Sequence, residues 1–345
     1  MSSVSTVQKP KVLALGYPSF VGEEYIKAFE SQFLLDVVVP SSRKQTVHDV
    51  AERVAWSGPY DALLARLGSS AYSPFDAEFL QPLIPHCKIL ASSSAGFDKV
   101  DVDWLTKNGM WFCNTRGAVS EATADMAMFL ILAVLRDTYR AEKNAREGLW
   151  RTNLRTSTDP GGKILGIVGM GSIGKDVARK AAAFNMRIYY YNPTQYPPDI
   201  EKQYGATYCS SLSELLSISD VISLHCRLIA ETRNMISYKE FSQMKDGVFF
   251  VNTARGAIVD EEALIEALKT EKVKRAGLDC FATEPNINPY FLNSENCVIQ
   301  PHMGGLTDGA FGKAEKECLE NIKAFFETGR PIAPVNELST REAAL

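Results

Sequence analysis

Short runs of β-branched and aromatic residues alternate along the chain with segments of helical period. KVLALG at 11–16 predicts a strand, and EEYIKAFESQF at 23–33 predicts a helix. KILASSS at 88–94 predicts a later strand of the same block. Strands that alternate with helices in this way are typical of an open parallel sheet with helices on both faces. The first block is therefore predicted to be an α/β domain.

A second α/β block follows, with apolar runs of strand length separated by helical patterns. The runs are KILGIVGM (163–170), RIYYYN (187–192), DVISLHC (220–226), GVFFVNT (247–253), KRAGLDC (274–280) and CVIQPH (297–302). Six strands at this spacing fit one complete dinucleotide-binding sheet. The predicted fold class is α/β, with two doubly wound parallel-sheet domains of which the larger is a Rossmann dinucleotide-binding domain.

Two helical segments fix the predicted domain bounds. Residues 119–146 predict one long helix with Ser120 as its N-cap, and the segment is either a connector between domains or, in its first half, a core helix. The helical stretch at 308–329 follows the last strand, so it is predicted to return to the first domain. The predicted substrate-binding (catalytic) domain is then 1–118 plus 307–345, and the dinucleotide-binding domain is 119–306.

Composition narrows the class of protein. A chain of 345 residues with 46% hydrophobic content can bury two cores, and a net charge of −4 offers no general basic surface for nucleic acid. The longest apolar run, at 126–135, is shorter than the roughly 20 residues that span a bilayer, and the N-terminus lacks a signal-peptide core. Seven dispersed cysteines without a C-x-x-C pair indicate reduced thiols and no metal site. We therefore expect a cytoplasmic protein with a small-molecule partner, no membrane contact and no metal.

A glycine-rich turn joins the first strand of the second block to the helical pattern SIGKDVARKAAAF. It reads Gly169, Met170, Gly171, Ser172, Ile173 and Gly174. The first glycine allows the tight turn, the second lets the backbone approach a pyrophosphate, and the third lets helix and strand pack closely. The N–H groups at the helix start then face the phosphate charge. This context predicts dinucleotide binding. The alternatives are a glycine turn in a nucleotide-free α/β domain or in a methyltransferase.

Asn192 occupies the position that discriminates between NAD and NADP. It lies 18 residues after Gly174, close to the ~20-residue offset at which an acidic side chain binds the ribose hydroxyls and repels a 2′-phosphate. An asparagine carbonyl can accept one hydrogen bond but carries no charge. No arginine or lysine follows before Lys202. NAD is therefore the predicted cofactor, with NADP used at lower preference.

Several later segments carry a family resemblance. They are LHCRLIAETRNMI (224–236), MKDGVFFVNTARGAIVDEEAL (244–264), AGLDCFATEP (276–285) and QPHMGG (300–305). Together they resemble the D-isomer-specific 2-hydroxyacid dehydrogenase family, and SSAGFDKVD at 93–101 resembles its substrate-binding loop. In size the chain is also similar to the fungal D-mandelate dehydrogenases. The resemblance implies hydride transfer between NAD(H) and C2 of a D-2-hydroxy acid or 2-oxo acid, by a homodimer joined through the cofactor domain.

The resemblance places the catalytic groups on Arg255, Glu284 and His302. A guanidinium is always charged and can bind a carboxylate and a carbonyl oxygen, which suits Arg255. An imidazole titrates near neutrality, as a proton-relaying group must, and Glu284 would hold one ring nitrogen of His302. Without the resemblance, Arg255 would be interpreted as a surface ion-pair partner, His302 as a core or surface residue and Glu284 as part of a turn.

The resemblance also implies the surrounding binding residues. The N–H groups of Ala95 and Gly96 would share the substrate carboxylate, and Ser94 stands where the family often has glycine. Asp279 would hold the nicotinamide amide, although a strand-end aspartate alone has no such meaning. The other residues implied to bind cofactor are Cys226, Arg227, which replaces the usual proline, and Thr253.

The substrate side chain is less closely constrained by the sequence. A pocket is predicted from Tyr17, Phe20, Leu67 and Phe97, and such an apolar, partly aromatic set favours a bulky aliphatic or aromatic acid. Within the family, a glyoxylate/hydroxypyruvate reductase is the alternative. Glu284 argues against a formate-type dehydrogenase, since those proteins pair the histidine with an amide. An NAD-binding corepressor-like protein is the alternative from another class.

Overall fold

The protein is described here by a computed structural model that covers residues 9–66, 68 and 71–338. The chain divides into two compact units, which we call unit 1 (Met1–Val119 and Thr307–Leu345) and unit 2 (Ser120–Leu306). Each unit holds one parallel sheet. The predicted fold class, two doubly wound α/β domains with the larger of Rossmann type, is confirmed.

Unit 1 contains, in its described part, a five-stranded sheet of order β2-β1-β3-β4-β5. Its strands are β1 (Lys11–Leu15), β2 (Leu34–Val38), β3 (Ala62–Ala65), β4 (Ile89–Ser92) and β5 (Trp111–Asn114). All strands except the edge strand β2 are almost wholly buried, because helices cover both faces of a parallel sheet.

Unit 2 contains a seven-stranded sheet of order β12-β11-β10-β9-β6-β7-β8 among its residues, all of which are described. Its strands are β6 (Ile164–Val168), β7 (Arg187–Tyr191), β8 (Ala206–Tyr208), β9 (Val221–Leu224), β10 (Val248–Asn252), β11 (Val273–Leu278) and β12 (Cys297–Ile299). The prediction of six strands was wrong by one, because β8 has only three residues and too short a pattern to show a period. Its pairing with β7 makes it a strand.

The helices pack on the faces of these sheets. They are α1 (Glu23–Glu30), α2 (Arg43–Ser57), α3 (Ala77–Leu80), α4 (Val102–Lys107), α5 (Ser120–Arg136), α6 (Thr138–Arg146), α7 (Ser172–Ala182), α8 (Pro198–Tyr204), α9 (Leu212–Ile218), α10 (Tyr238–Gln243), α11 (Glu261–Lys269), α12 (Pro289–Asn293) and α13 (Asp308–Thr328). Helix α13 belongs to unit 1, where Cys318, Leu319 and Ile322 join the core beneath β1 and β4.

The single long helix predicted over 119–146 is instead two helices, α5 and α6. The break is at Asp137, whose φ of 54° is left-handed. Its carboxylate accepts hydrogen bonds from Arg275 and Arg140, each at 2.7 Å, and this buried ion cluster holds the turn. Helix α5 packs in the core of unit 2, so the core-helix alternative holds for it. Ser120 is its first helical residue and not a cap outside it.

In the described ranges, no helix combines the length and the apolar character needed to cross a bilayer. The same residues hold no group of three or more His, Cys, Asp or Glu side chains arranged for a metal ion. All seven cysteines are free thiols, and only Cys226 is not fully buried.

Candidate active site

The glycine turn after β6 depends on close backbone approaches. Gly169 has a φ of 92°, and a Cβ there would lie 2.7 Å from the backbone nitrogen of Cys226. A Cβ at Gly174 would lie 2.6 Å from the carbonyl oxygen of Gly169. The turn therefore packs tightly against both the end of β9 and its own helix, as the spacing of the glycines predicts.

The outer side of the same turn is open. Gly171 precedes α7 without a side-chain cap, and a Cβ built on it would meet no described atom within 4 Å. The first N–H groups of an α-helix have no partner inside the helix, so those of Ser172 and Ile173 face this space. Both residues have accessible surface. Uncapped N–H groups beside an open approach fit a dinucleotide pyrophosphate.

Asn192 directly follows β7 and binds the glycine turn. Its Oδ1 accepts a hydrogen bond from the N–H of Met170 at 2.8 Å. The carbonyl that was predicted to bind the ribose therefore already has a partner within the protein. The amide Nδ2, a donor, is the group left for a ligand, and Asn192 is half-buried.

The segment after β9 lies beneath the glycine turn. His225 is held between the Oγ of Ser223, at 2.8 Å, and the Oγ1 of Thr253, at 3.4 Å. Burial lowers the pKa of His225 to about 3, so this ring is neutral at physiological pH. Burial also raises the pKa of Cys226 to about 11, which keeps its thiol protonated. Arg227 is exposed. His225 was not singled out from the sequence, where its place after a strand was the available signal.

Arg255 begins the turn that follows β10. The side chain of Asn252 fixes this turn, since its Nδ2 donates to the Arg255 carbonyl at 3.0 Å and its Oδ1 accepts from Ala254 at 2.9 Å. A Cβ at Gly256 would lie 1.9 Å from the carbonyl carbon of Phe281. Only glycine lets the Arg255 turn approach the segment that leads to Glu284. Arg255 is half-buried.

Glu284 and His302 form a hydrogen-bonded pair. The two carboxylate oxygens lie 3.1 and 2.9 Å from Nδ1 of His302, and Oε1 also accepts the N–H of Phe281 at 3.0 Å. Burial acts to raise the pKa of Glu284, but the His302 hydrogen bond and charge, the Phe281 N–H and the charge of Arg255 together lower it. Glu284 is therefore ionised at neutral pH, and Nε2 is the ring nitrogen of exposed His302 that is directed away from this carboxylate.

Asp279 shapes the turn that carries His302. It is 1% exposed, and its oxygens accept the N–H groups of Met303 at 2.7 Å and Gly304 at 2.8 Å. Burial raises its pKa, against the opposing effects of these N–H groups and of His302. His302 has a left-handed φ of 56°, which the two hydrogen bonds after it hold in place. Supporting this turn is a role that the sequence did not reveal, and the predicted contact with the nicotinamide stays a prediction.

In unit 1, the segment Ser94–Gly96 follows β4. Thr115 donates to the carbonyl of Ser94 at 3.3 Å, and Asn114 donates to that of Ala95 at 2.6 Å. Among described residues the N–H groups of Ala95 and Gly96 have no acceptor. This is the arrangement that a substrate carboxylate requires.

The predicted pocket residues of unit 1 are only partly available for a ligand. Tyr17 and Phe20 are exposed. Phe97 packs against Phe112, with ring centroids 5.9 Å apart. Leu67 lies outside the described residues.

A family model and a sequence relative match this chain. The model of the D-isomer specific 2-hydroxyacid dehydrogenase NAD binding domain matches residues 128–304. The chain is 50% identical over 339 residues to the dehydrogenase efuE of Hormonema carpetanum, covering 98% of this chain and 85% of that protein.

Solved structures give the same result. Holo D-mandelate dehydrogenase of Rhodotorula graminis superposes with a TM-score of 0.89 at 31% identity, over 96% of this chain and 99% of that one. A glyoxylate reductase from Paecilomyes thermophila superposes with a TM-score of 0.85 at 36% identity, over 95% and 98% of the two chains. The chain belongs to the D-isomer specific 2-hydroxyacid dehydrogenase family.

Proposed function

We propose that this chain is an NAD-dependent dehydrogenase that interconverts a D-2-hydroxy acid and its 2-oxo acid, with a bulky or aromatic side chain preferred. The observation that carries the proposal is the Glu284–His302 pair, which leaves Nε2 of an exposed imidazole directed away from its carboxylate partner. A positioned imidazole with an ionised partner is suited to general acid–base catalysis. The half-buried Arg255 supplies the permanent positive charge that an acid substrate requires.

The residues divide the reaction between them. In oxidation, Nε2 of His302 takes the proton of the C2 hydroxyl, and in reduction it returns a proton to the carbonyl oxygen. Glu284 stabilises the imidazolium formed in the first direction. Arg255 binds the carboxylate and the carbonyl oxygen on which negative charge develops. The glycine turn would hold NAD, which would supply the hydride acceptor in oxidation and, as NADH, the hydride donor in reduction.

The remaining predicted residues have supporting roles in this proposal. The N–H groups of Ala95 and Gly96 share the substrate carboxylate. The cofactor is bound by Gly169, Gly171, Ser172, Ile173, Gly174, Asn192, Cys226, Arg227, Thr253 and Asp279. The seven free thiols fit a cytoplasmic location.

A panel of 2-oxo acids tests the proposal directly. Glyoxylate, hydroxypyruvate, 4-methyl-2-oxopentanoate and phenylglyoxylate are each assayed with NADH and with NADPH. We expect the highest kcat/KM with one of the two bulky acids and NADH. A best rate with glyoxylate or hydroxypyruvate would favour the second candidate, a glyoxylate/hydroxypyruvate reductase, which the 36% identity to a glyoxylate reductase supports. Cofactor binding without turnover of any acid would favour a corepressor-like protein.

Replacing Glu284 with glutamine should change the pH profile. The pKa of Glu284 is lowered in the folded protein. The negative charge that stabilises the imidazolium is therefore fully present at any pH above the ordinary pKa of glutamate. It is lost only as the pH falls through the lowered pKa. A glutamine supplies no such charge at any pH. Reduction by Glu284→Gln should therefore lose activity near neutrality and recover at lower pH. Initial rates of reduction from pH 5 to 9 give the pH profile, and the variant Glu142→Gln, at an exposed residue, is the control. Superimposable profiles would contradict the role of Glu284.

Asn192 should set a weak preference for NADH. No lysine or arginine occurs at 193–201, and the nearby Lys175 lies over the ring of Tyr196, at 4.1 Å from its centroid. Asn192→Asp adds a charge that accepts from ribose hydroxyls and repels a 2′-phosphate. The NADH/NADPH ratio of kcat/KM should rise roughly 10- to 100-fold, as expected for about 1.5–3 kcal/mol from a charged hydrogen bond. A wild-type enzyme that used NADPH tenfold better than NADH would contradict the preference.

We further propose a homodimer through unit 2. Exposed apolar side chains lie on α5, on α6 and just after α6. Phe129 on α5 is 50% exposed, Tyr139 on α6 is 42% exposed, and Trp150 is 74% exposed. Sedimentation equilibrium at micromolar concentration should give twice the monomer mass, and Phe129→Glu should shift the protein toward monomer. A wild-type monomer would exclude the dimer but not the enzyme.

A further inference from the structure

A buried charge pair lies beside the carboxyl end of the unit 1 sheet. Glu315 of α13 is 1% exposed, and its Oε1 accepts from Nε of Arg66 at 2.7 Å and lies 2.6 Å from Nη2. Its Oε2 accepts the N–H groups of Phe20 at 2.7 Å and Val21 at 3.1 Å. The carboxylate is therefore fully used inside unit 1, and it fixes the orientation of the guanidinium.

Arg66 keeps donors that this pair does not use. Its side chain is 18% exposed, and Nη1 makes no hydrogen bond to any described residue. A Cβ at Gly16 would lie 3.2 Å from Nη1, so the glycine leaves room for the guanidinium to reach this edge. The guanidinium carbon also lies 5.9 Å from the centroid of the exposed Phe20 ring. An oriented cation with free N–H groups is thus presented next to an aromatic surface.

The position of Arg66 in the sheet places it beside the segment proposed to bind the substrate carboxylate. Arg66 follows β3, whose neighbours are β1 and β4. The N–H of Ser93, just after β4, donates to the carbonyl of Ala65 at 2.8 Å and ties the two strand ends together. One edge of the sheet therefore offers the backbone donors of Ala95 and Gly96 together with a guanidinium.

We propose that Arg66 is a specificity-determining residue that binds an oxygen atom in the side chain of the 2-oxo acid, with Glu315 as its positioning residue. This inference rests on the proposed function and adds to it a preference, between acids of similar size, for the acid that carries an acceptor oxygen beyond C2. Nη1 donates to that oxygen, while the exposed rings of Tyr17 and Phe20 contact the carbon skeleton. A buried ion pair by itself adds little to stability, so the pair is better understood through the donors that it orients.

Matched substrate pairs that differ by one oxygen test the proposal. Hydroxypyruvate is compared with 2-oxobutyrate, and 4-hydroxyphenylpyruvate with phenylpyruvate, each with NADH. In wild type, we expect kcat/KM to favour the oxygen-bearing acid by roughly 10-fold or more in at least one pair, as for a hydrogen bond to a charged group. In Arg66→Met that ratio should fall to about 1, while the apolar acid keeps its kcat/KM within about 3-fold.

A ratio measured on one preparation does not depend on the fraction of folded enzyme, so partial misfolding cannot imitate this result. Glu315→Gln retains an acceptor for Phe20 and Val21 but loses the ion pair, and it should lower the ratio through KM of the oxygen-bearing acid. If Arg66→Met does not fold, Arg66→Lys replaces it and should also lower the ratio. An unchanged ratio in the folded variants, or an equal loss for both acids of each pair, would overturn the inference. A wild-type protein that turns over none of the acids would overturn the proposed function and this inference with it.

Discussion

Replacing His302 with glutamine should lower kcat by about 10²–10⁴-fold, the range expected when general acid–base catalysis is lost. The side chain of His302 is exposed and pairs with Glu284 through Nδ1 only, so a glutamine can occupy its place without a cavity. It cannot transfer a proton at neutral pH. The glycine turn proposed to bind NAD is a separate part of unit 2, so the Kd for NADH should stay within about 3-fold of wild type, a change of less than ~1 kcal/mol.

Two measurements are needed for this variant. Steady-state turnover gives kcat, and quenching of protein fluorescence by NADH gives cofactor affinity. His48→Gln is a matched control, because His48 is exposed on α2 and, in the described part of the chain, pairs only with Glu52, at 3.4 Å. Near-normal turnover by His302→Gln would remove His302 from the mechanism.

Replacing Arg255 with lysine should raise KM for the 2-oxo acid and lower kcat in the same variant. An ammonium group is a single point charge and cannot reproduce the planar fork that holds a carboxylate and a carbonyl oxygen together. The loss of one charged hydrogen bond corresponds to about 1.5–3 kcal/mol, or roughly 10- to 100-fold in kcat/KM. Asn252 and Gly256 fix the backbone of the turn, and Nη1 of Arg255 adds a hydrogen bond to the Ala254 carbonyl at 2.7 Å, so circular dichroism and thermal unfolding should accompany the kinetics of this variant.

Kinetics over a range of 2-oxo acid concentrations measure both constants. Arg146→Lys is the corresponding control, since Arg146 forms an exposed pair with Glu142 on α6. If Arg255→Lys changed only the affinity for NADH, Arg255 would not be the residue that binds the substrate acid.

Glycines determine how closely the turns that carry Arg255 and His302 approach their neighbouring segments. Gly256 brings the Arg255 turn against Phe281, and Gly304 lies where a Cβ would come within 2.9 Å of Oδ2 of Asp279. Any larger residue would displace the turns that carry Arg255 and His302. The arrangement of the site therefore depends as much on these close approaches as on the reactive side chains.

The sequence by itself determined the fold class and supplied the candidate residues of the site. Alternating strand and helix patterns are local properties, so they predicted two parallel-sheet domains without knowledge of long-range contacts. The glycine spacing at 169–174 and the order of the family segments are also local, and they were sufficient to select Arg255, Glu284 and His302 as candidates.

Only the tertiary structure decided which groups support those candidates. Strand β8 exists because it pairs with β7, and the helix predicted over 119–146 breaks because Arg275, far along the chain, binds Asp137. Asn192 has its carbonyl bound by the glycine turn, and Asp279 holds the turn after His302. The Arg66–Glu315 pair joins residues 249 positions apart. Hydrophobic periodicity and secondary-structure propensity depend on residues that are close together in the sequence. Ion pairs and close backbone approaches form between distant segments that folding brings together.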